Sequence, residues 1–357
     1  MTCTILVTGM HFDPVHGNTV DEIRAMGFAQ EMVELPLKGE SRTPGGCAET
    51  MADGVSVFAR RFQGSRPDIL VIPGDRFDVL PAAIAALPFN FPVAHISGGE
   101  VTEGAMDDSI RHALTKFSHL HFPAHEIYGR RIEQLGEEPW RITVAGELGL
   151  DMLATFPFMD RKALFEDLSL SQEKPLSILT YHPETVTETS SSDGIAAILG
   201  AAREADTQIV ITYPNDDPGS GDIIQAIEGV AAERDDWRVY LSLGRSRYLN
   251  ILRHADCMVG NSSSGIIEAA SFTLPVVNVG NRQMGRIMGP NILNVPTFKD
   301  EIFEAWRQAL SPNFRQSLAH MENPYYSGNG VERILDRLKT VALNARLTNK
   351  RFQDVNS

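Results

Sequence analysis

D-C-M-V-G-N-S-S-S-G-I-I-E-A-A-S-F-T-L-P-V-V-N-V-G, residues Asp256 to Gly280, is the stretch that decides the fold. A short apolar run, Cys257 to Val259, stops at Gly260; the small polar loop Asn261 to Ser264 follows, and Gly265 opens a helix-compatible stretch that carries Glu268. After Leu274 and Pro275 comes a second apolar run, Val276 to Val279. The order is strand, loop, helix, strand, one unit of an α/β sheet. A loop of this kind leaves backbone N–H groups and hydroxyls at a helix N-terminus, where unpaired donors and aligned peptide dipoles favour an anion such as a phosphate. Ser262, Ser263 and Ser264 with no lysine suit a diphosphate held by neutral donors rather than a metal-bound triphosphate in a P-loop. Glu268, one turn further in, is placed to reach a ribose hydroxyl. The same serines would serve equally as caps and turn residues of an ordinary crossover. The segment downstream, Gly280-Asn281-Arg282-Gln283-Met284-Gly285-Arg286, favours the nucleotide site: it puts two guanidinium groups just past the next strand, where open parallel sheets bind ligands.

Upstream the same alternation runs twice. Strands are predicted at Ile5–Thr8, Asp68–Pro73, Pro92–Ile96, His119–Pro123 and Arg141–Ala145, and again at Leu176–Tyr181, Gln208–Tyr213 and Trp237–Leu241. Helices are predicted near Thr19, over Ala48–Phe62, up to about Leu87, over Met106–Phe117, Gly194–Glu204 and Ile223–Glu233, with a mobile loop at Lys38–Gly46. Such alternation predicts parallel sheets covered on both faces. The proline-rich, charged segment Phe156–Pro175 is the expected boundary, so residues 1–160 and 161–335 form two Rossmann-like, doubly wound domains facing across a cleft. The basic, amphipathic stretch Gly330–Leu347 leads into a tail, 336–357, expected to pack back across the hinge.

Bulk properties narrow the function. At 357 residues, 43% apolar and 22% charged, the chain is long enough for two domains. A formal charge of −14 leaves no broad basic surface, so neither nucleic acid nor an anionic membrane is expected as a partner, and any bound anion falls to local arginines. Cys3, Cys47 and Cys257 are widely spaced and odd in number, which suggests no disulfide framework and fits a reducing cytoplasm. No apolar run approaches membrane-spanning length, and no secretory signal is expected.

Potentially reactive side chains follow predicted strands: Asp75 and Arg76; Ser97, Glu100 and Glu103; His182 and Glu184. Asp107 and Arg111, spaced i, i+4, share a helix face, as a surface ion pair or as part of a site. His182 precedes Pro183, which holds it extended at a strand end. His112, His119, His121 and His125 lack a recognised metal-ligand spacing and are expected to be buried, hydrogen-bonded histidines. Asp216 and Asp217, in N-D-D-P-G, are expected to form a turn rather than a metal-binding acidic pair.

Taken in order, G-D-R (74–76), H-I-S-G-G-E-V-T-E-G-A-M-D-D-S-I-R-H (95–112), Y-H-P-E-T (181–185), T-Y-P-N (212–215), G-N-S-S-S-G-I-I-E (260–268) and N-R-Q-M-G-R (281–286) resemble the hydrolysing UDP-N-acetylglucosamine 2-epimerases over nearly the whole chain. The resemblance implies a glycosyltransferase-B-like pair of domains, the nucleotide held by the second and the sugar in the cleft, and a homodimer. It implies a reaction needing neither metal nor other cofactor: UDP leaves C1 as a proton leaves C2, and water adds to the resulting glycal to release the epimerised sugar. Asp75, Glu100, Asp107 and His182 are then the acid-base candidates, with Arg111 supporting Asp107. Arg76, Gly260, Asn261, Ser262, Ser263, Ser264, Gly265, Glu268 and Arg282 are the nucleotide-binding candidates. Relatives differ at two points. They carry a strand, a T-G-T-R loop and a helix ahead of the segment matching Leu6–His11, which here stands almost at Met1, so a first βα unit is missing by comparison and unpaired strand edges are expected. Ser97 also stands where other branches carry glutamate or histidine, which leaves the base at C2 open.

Overall fold

The computed structural model describes residues 1–14, 18–28, 31–39, 43–103, 105–184, 190–231 and 234–354. Gly104, Thr185 and Glu233, and the centre of the loop 38–46, lie outside them. Eleven strands are present among the described residues: β1 Ile5–Thr8, β2 Met32–Leu35, β3 Leu70–Pro73, β4 Val93–Ile96, β5 Leu120–Phe122, β6 Leu176–Thr180, β7 Gln208–Thr212, β8 Trp237–Tyr240, β9 Cys257–Gly260, β10 Val276–Val279 and β11 Ile292–Val295.

The second lobe is built on a six-stranded sheet of order β11-β10-β9-β6-β7-β8, with every ladder parallel. Its centre is legible in the residues: β6, β7, β9 and β10 are buried along their whole length, as parallel strands covered on both faces must be, whereas the outer β8 and β11 are largely half-buried. One face carries a core that joins Ile195, Ile198, Ile223, Ile302 and Trp306, and the other a core that joins Phe165, Leu249, Leu252 and Leu274. The chain winds outward from β6 through β7 to β8, returns to β9 beside β6, and winds the other way. The strand ends after β6 and β9 therefore flank the reversal point, where such sheets bind ligands.

The first lobe's sheet is in two pieces. β3, β4 and β5 form one parallel sheet and β1 and β2 another. Leu6 and Leu35 pack on the core of Phe58, Phe62, Leu70 and Ile72, yet no ladder joins β1 to β3. Each of those strands thus keeps one edge outside any ladder, and Val71 of β3 is 39% exposed.

Several boundaries differ from the expectations. Arg141–Ala145 does not make a strand; it meets β5 through one bridge, Ile142 to His121, and two hydrogen bonds, because Pro139–Arg141 forms a 3-10 turn that brings it in late. The helix expected from Ala48 starts at Pro44, capped by the Thr43 hydroxyl and using proline where its missing N–H costs nothing. The C-terminal helices Gly330–Thr340 and Ala345–Thr348 return to the first lobe: Ile334 and Leu347 join Ala94, Leu120 and Phe122 in one core, and buried Arg141 donates to the Leu347 and Arg346 carbonyls at 2.8 and 2.9 Å. Beneath them buried Glu137 takes Lys116 at 2.6 Å, Lys350 at 2.7 Å and His121 at 3.2 Å. Burial opposes its ionisation, but the hydrogen bonds from these partners win and hold the carboxyl at about 2.

Candidate active site

The two lobes meet along strand ends. Gly260 closes β9 with φ +130°, and a Cβ there would lie 1.9 Å from the Thr180 carbonyl oxygen, so only glycine lets β9 lie this close to β6 at its exit. Asn261 then ties the exits of the two strands together: its Oδ1 accepts from His182 N at 2.7 Å and its Nδ2 donates to His182 O at 2.9 Å. Ser262 caps the short helix Ser263–Ile267 by accepting from Ser264 N, and Gly265 lies against Val276, letting that helix pack onto β10. The Ser264 hydroxyl donates to Glu268 at 2.5 Å, and Arg245 donates to the other Glu268 oxygen at 2.5 Å. The turn is therefore partly occupied by its own bonds, and its helix is five residues long, with a correspondingly short dipole.

The arginines supply what the turn lacks. Arg282 bridges the lobes, with one nitrogen 3.4 Å from the Asn261 carbonyl oxygen and another 3.4 Å from Asp107 Oδ2. Arg286 reaches Glu100 of the first lobe at 2.9 Å. Arg282 Nε and Arg286 Nε and Nη1 are buried with no hydrogen-bond partner among the described residues, a cost that an anionic ligand would relieve. Glu184 is used structurally: its Oε1 accepts from Asn281 N and Arg282 N and so fixes the loop that carries these arginines. Arg76 enters the cleft from the end of β3, 3.5 Å from Asp78 and 3.8 Å from Asp217 of the second lobe.

The acidic residues fall into two electrostatic classes. Arg111 does not support Asp107. It is fully buried and turns toward the end of β3, donating to Asp75 through Nε at 2.7 Å and through Nη2, with Asp108 at 3.3 Å and Thr102 at 3.0 Å. Helix periodicity places Asp107 and Arg111 on one face, but the side chain is long enough to choose the partner beyond the helix. Burial alone would raise the Asp75 carboxyl; Arg111 and Arg286 outweigh it and hold the group below the usual range. Asp107, by contrast, is raised to about 6 by burial and by the charges of Asp75 and Asp217, against the pull of Arg282 and Arg76. A pair of carboxyls pushed apart in this way is suited to proton transfer near neutral pH. His182 is held neutral, well below its ordinary range, by burial and then by Arg282. Ser97 sits at φ +66°, a left-handed conformation that a non-glycine residue rarely adopts and that concentrates at functional sites.

Of the four histidines expected to be buried and hydrogen-bonded, only His121 is buried, the others being partly exposed, and each has its own partner: His119 accepts from Val93 N, His121 meets Glu137, His125 caps the helix Glu126–Gln134, and His112 lies 3.6 Å from Asp108. Among the described residues no group of three or more His, Cys, Asp or Glu is arranged to hold a metal ion. No helix among them is long and apolar enough to cross a membrane.

Three residues at the cleft were not singled out from the sequence. Arg245 holds Glu268, and Tyr248 hydrogen-bonds to Ser262 and Ser264. Both follow the end of β8, which was the available signal. Glu147, after Gly146, had none. Burial, then the charges of Glu100 and Glu268, raise it to about 7. A carboxyl raised from 4.5 to about 7 stabilises the fold in full below pH 4.5 and loses that contribution as pH rises through 7. Glu147→Gln is therefore expected to gain about 2–3 kcal/mol over the parent at pH 8 in urea unfolding, a gain that vanishes toward pH 4.5. An equal gain at both pH values would refute this account.

Residues 1–339 match the family model described as UDP-N-acetylglucosamine 2-epimerase. The chain belongs to that family. Similar members include the UDP-N,N'-diacetylbacillosamine 2-epimerase (hydrolyzing) of Legionella pneumophila, 35% identical over 97% of this chain and 90% of that protein. The GDP/UDP-N,N'-diacetylbacillosamine 2-epimerase (hydrolyzing) of Campylobacter jejuni is 33% identical over 89% of this chain and 82% of that protein. Among solved structures, the UDP-GlcNAc 2-epimerase from Neisseria meningitidis bound to UDP-GlcNAc superimposes with a TM-score of 0.74 at 15% identity, over 96% of this chain and 100% of that one. A protein from Listeria monocytogenes in the same family gives 0.74 at 17%, over 94% of this chain and 87% of that one. The 2-epimerase fold, two Rossmann-like lobes in the glycosyltransferase-B-like arrangement, is thus the fold of this chain.

Proposed function

We propose that this 2-epimerase family member is a hydrolysing enzyme, which converts a UDP-linked 2-acetamido sugar and water to UDP and the free 2-epimeric sugar. The observation that carries the reading is the Arg282 guanidinium, which joins the serine-bearing turn of one lobe to the acidic helix of the other, so that a diphosphate and a sugar carboxyl partner share one site. Residues 161–335 hold the nucleotide, with Glu268 on the ribose, Arg282, Arg286 and the turn at Asn261–Ser264 on the diphosphate, and Arg76 approaching from the other side. Residues 1–160 present Asp75, Glu100 and Asp107 to the sugar.

In the first stage the C1–O bond to the diphosphate breaks, its electron pair leaving with UDP, while a base takes the C2 proton and the C2–H electrons form the C1–C2 double bond of a glycal. In the second, water adds its oxygen to C1 and a proton returns to C2 from the opposite face. Asp107, poised near neutrality, is the proton carrier of this scheme, and neutral His182 is its acid-base partner. Asp75, kept anionic by Arg111, stabilises positive charge developing at C1. Arg282 and Arg286 match the charge growing on the leaving diphosphate. The hydrolysing names of the Legionella and Campylobacter relatives support this branch, and both the mono-acetamido and diacetamido sugars are candidate substrates.

Incubation with UDP-N-acetylglucosamine and with UDP-N,N'-diacetylbacillosamine, without acceptor, tests the reading by NMR of the products. UDP and free 2-epimer are expected from at least one. A UDP-linked epimer would place the protein in the non-hydrolysing branch, and turnover only after an acceptor is added would make it a glycosyltransferase. Glu268→Ala is expected to weaken UDP binding about 10–100-fold, the value of a lost hydrogen bond to a charged group, with a smaller change in kcat. A kcat loss larger than the affinity loss would place Glu268 at the reacting sugar instead.

A further inference from the structure

Ile287 lies just past Arg286 in a stretch with neither helix nor strand, so its backbone groups must find partners outside the regular ladders. They find two tyrosines. The Ile287 N–H donates to the Tyr128 hydroxyl at 3.1 Å, and the Tyr325 hydroxyl donates to the Ile287 carbonyl at 2.8 Å. The two hydroxyl oxygens are themselves 2.8 Å apart. A carbonyl oxygen only accepts, so the single Tyr325 proton is committed to Ile287, and the bond between the hydroxyls runs from Tyr128 to Tyr325. Peptide N–H, two hydroxyls and carbonyl thus close a ring in which no two bonds compete for one proton. Tyr128 is 0% exposed and Tyr325 1%, so no solvent is at hand to replace a bond that is lost.

The ring draws on distant parts of the chain. Tyr128 belongs to the helix Glu126–Gln134 of the first lobe, Ile287 to the second lobe, and Tyr325 to the segment that leads into the C-terminal helices. The Tyr325 carbonyl accepts from Glu147 N at 2.9 Å, and its N–H donates to Asn323 Oδ1 at 2.9 Å. Asn323 Nδ2 in turn donates at 2.7 Å to the Ile267 carbonyl, beside Glu268. Tyr128 also seats the partner of Arg286: a Cβ on Gly99, at φ +80°, would lie 2.2 Å from the Tyr128 carbonyl oxygen, so the loop carrying Glu100 rests directly on this helix. Both members of the Arg286–Glu100 pair are therefore anchored at one tyrosine, while Arg286 Nε and Nη1 stay buried without a hydrogen-bond partner among the described residues.

We propose that Tyr128 and Tyr325 are positioning residues that grip the backbone just after Arg286 and so aim its unpaired Nε and Nη1 donors at the ligand. That this ligand is the diphosphate of a nucleotide sugar rests on the function proposed above. A guanidinium on a fixed backbone has less freedom left to lose when it meets an anion, which is how pre-organisation strengthens binding. Both hydroxyl protons are used inside the ring, so neither tyrosine is a proton donor to substrate.

Phenylalanine keeps the rings that pack with Ala124, Leu150 and Ile266 and removes only the hydroxyl. Two measurements on the full chain use that substitution. The first needs no ligand: 15N NMR of protein labelled at arginine, with the Arg286 Nε signal assigned by its loss in Arg286→Lys. One sharp signal is expected from the parent, and a displaced or broadened one from Tyr128→Phe and from Tyr325→Phe. The second is calorimetry with UDP. Each single variant and the double variant are expected to weaken UDP binding about 10-fold, alike within about threefold, because opening the ring at either hydroxyl releases the same peptide. In an Arg286→Lys background, Tyr325→Phe is expected to change the UDP dissociation constant by less than about twofold, since the guanidinium it aims is gone. A merely structural role would lower affinity equally in both backgrounds. An Arg286 signal unmoved in the tyrosine variants, or an equal loss of UDP affinity with and without the guanidinium, overturns the proposal. Tyr325→Phe decides the matter if Tyr128→Phe does not fold. The two readings fail separately: an Arg286 signal that moves as described in a protein that binds no UDP leaves the grip standing and refutes the nucleotide reading of the cleft.

Discussion

Asp107→Asn is expected to lower turnover roughly 10²–10⁴-fold, the usual value of a positioned proton carrier, while the dissociation constant for UDP stays within about threefold. The asymmetry follows from geometry. Among the described residues Asp107 meets the nucleotide half of the site through Arg282, 3.4 Å away, and asparagine keeps an oxygen for that guanidinium while losing the proton-carrying carboxyl. The rate of the parent should also bend near pH 6, where Asp107 titrates, and the bend should disappear in the variant. Calorimetry with UDP and a kcat measured across pH 5–8 check both halves. Equal losses of affinity and rate would show that Asp107 serves binding instead.

Arg286→Met is expected to be the most destabilising single change at the cleft, at about 3–5 kcal/mol, because it strands the Glu100 carboxylate inside the protein. Glu100 is 2% exposed, and Arg286 is the cation that meets it, at 2.9 Å. Replacing both partners, Arg286→Met with Glu100→Leu, removes the uncompensated charge and is expected to recover most of the stability in urea unfolding. The double variant should still bind UDP poorly, since the buried Nε and Nη1 donors of Arg286 go with the guanidinium. Additive losses in the double variant would mean that the pair is not energetically linked across the lobes.

Much of the architecture was legible because local pattern carries it. Unbroken, β-branched apolar runs such as Ile209–Ile211, and the run Cys257–Val259 stopped by Gly260, read as central strands of a covered parallel sheet, and the glycine closing β9 marks where the chain must turn. Arg141–Ala145 misled because it is apolar and follows the rhythm, yet a 3-10 turn delivers it to the sheet edge with room for one bridge. Asp217 was passed over because a turn sequence and a buried cleft residue use the same letters, and only burial separates them.

By itself the sequence determined the two wound lobes, the strand ends at which chemistry gathers, and the kinds of group found there. It did so because strand and helix periods, glycine turns and proline breaks act over a few residues. Which charges pair was decided only in three dimensions. Arg111 shares a helix with Asp107 but binds Asp75, 36 residues away, and Asp107 finds Arg282 at a separation of 175 residues. Long flexible cations choose partners by distance and desolvation once the lobes have closed on each other, and spacing along the chain carries no record of that choice.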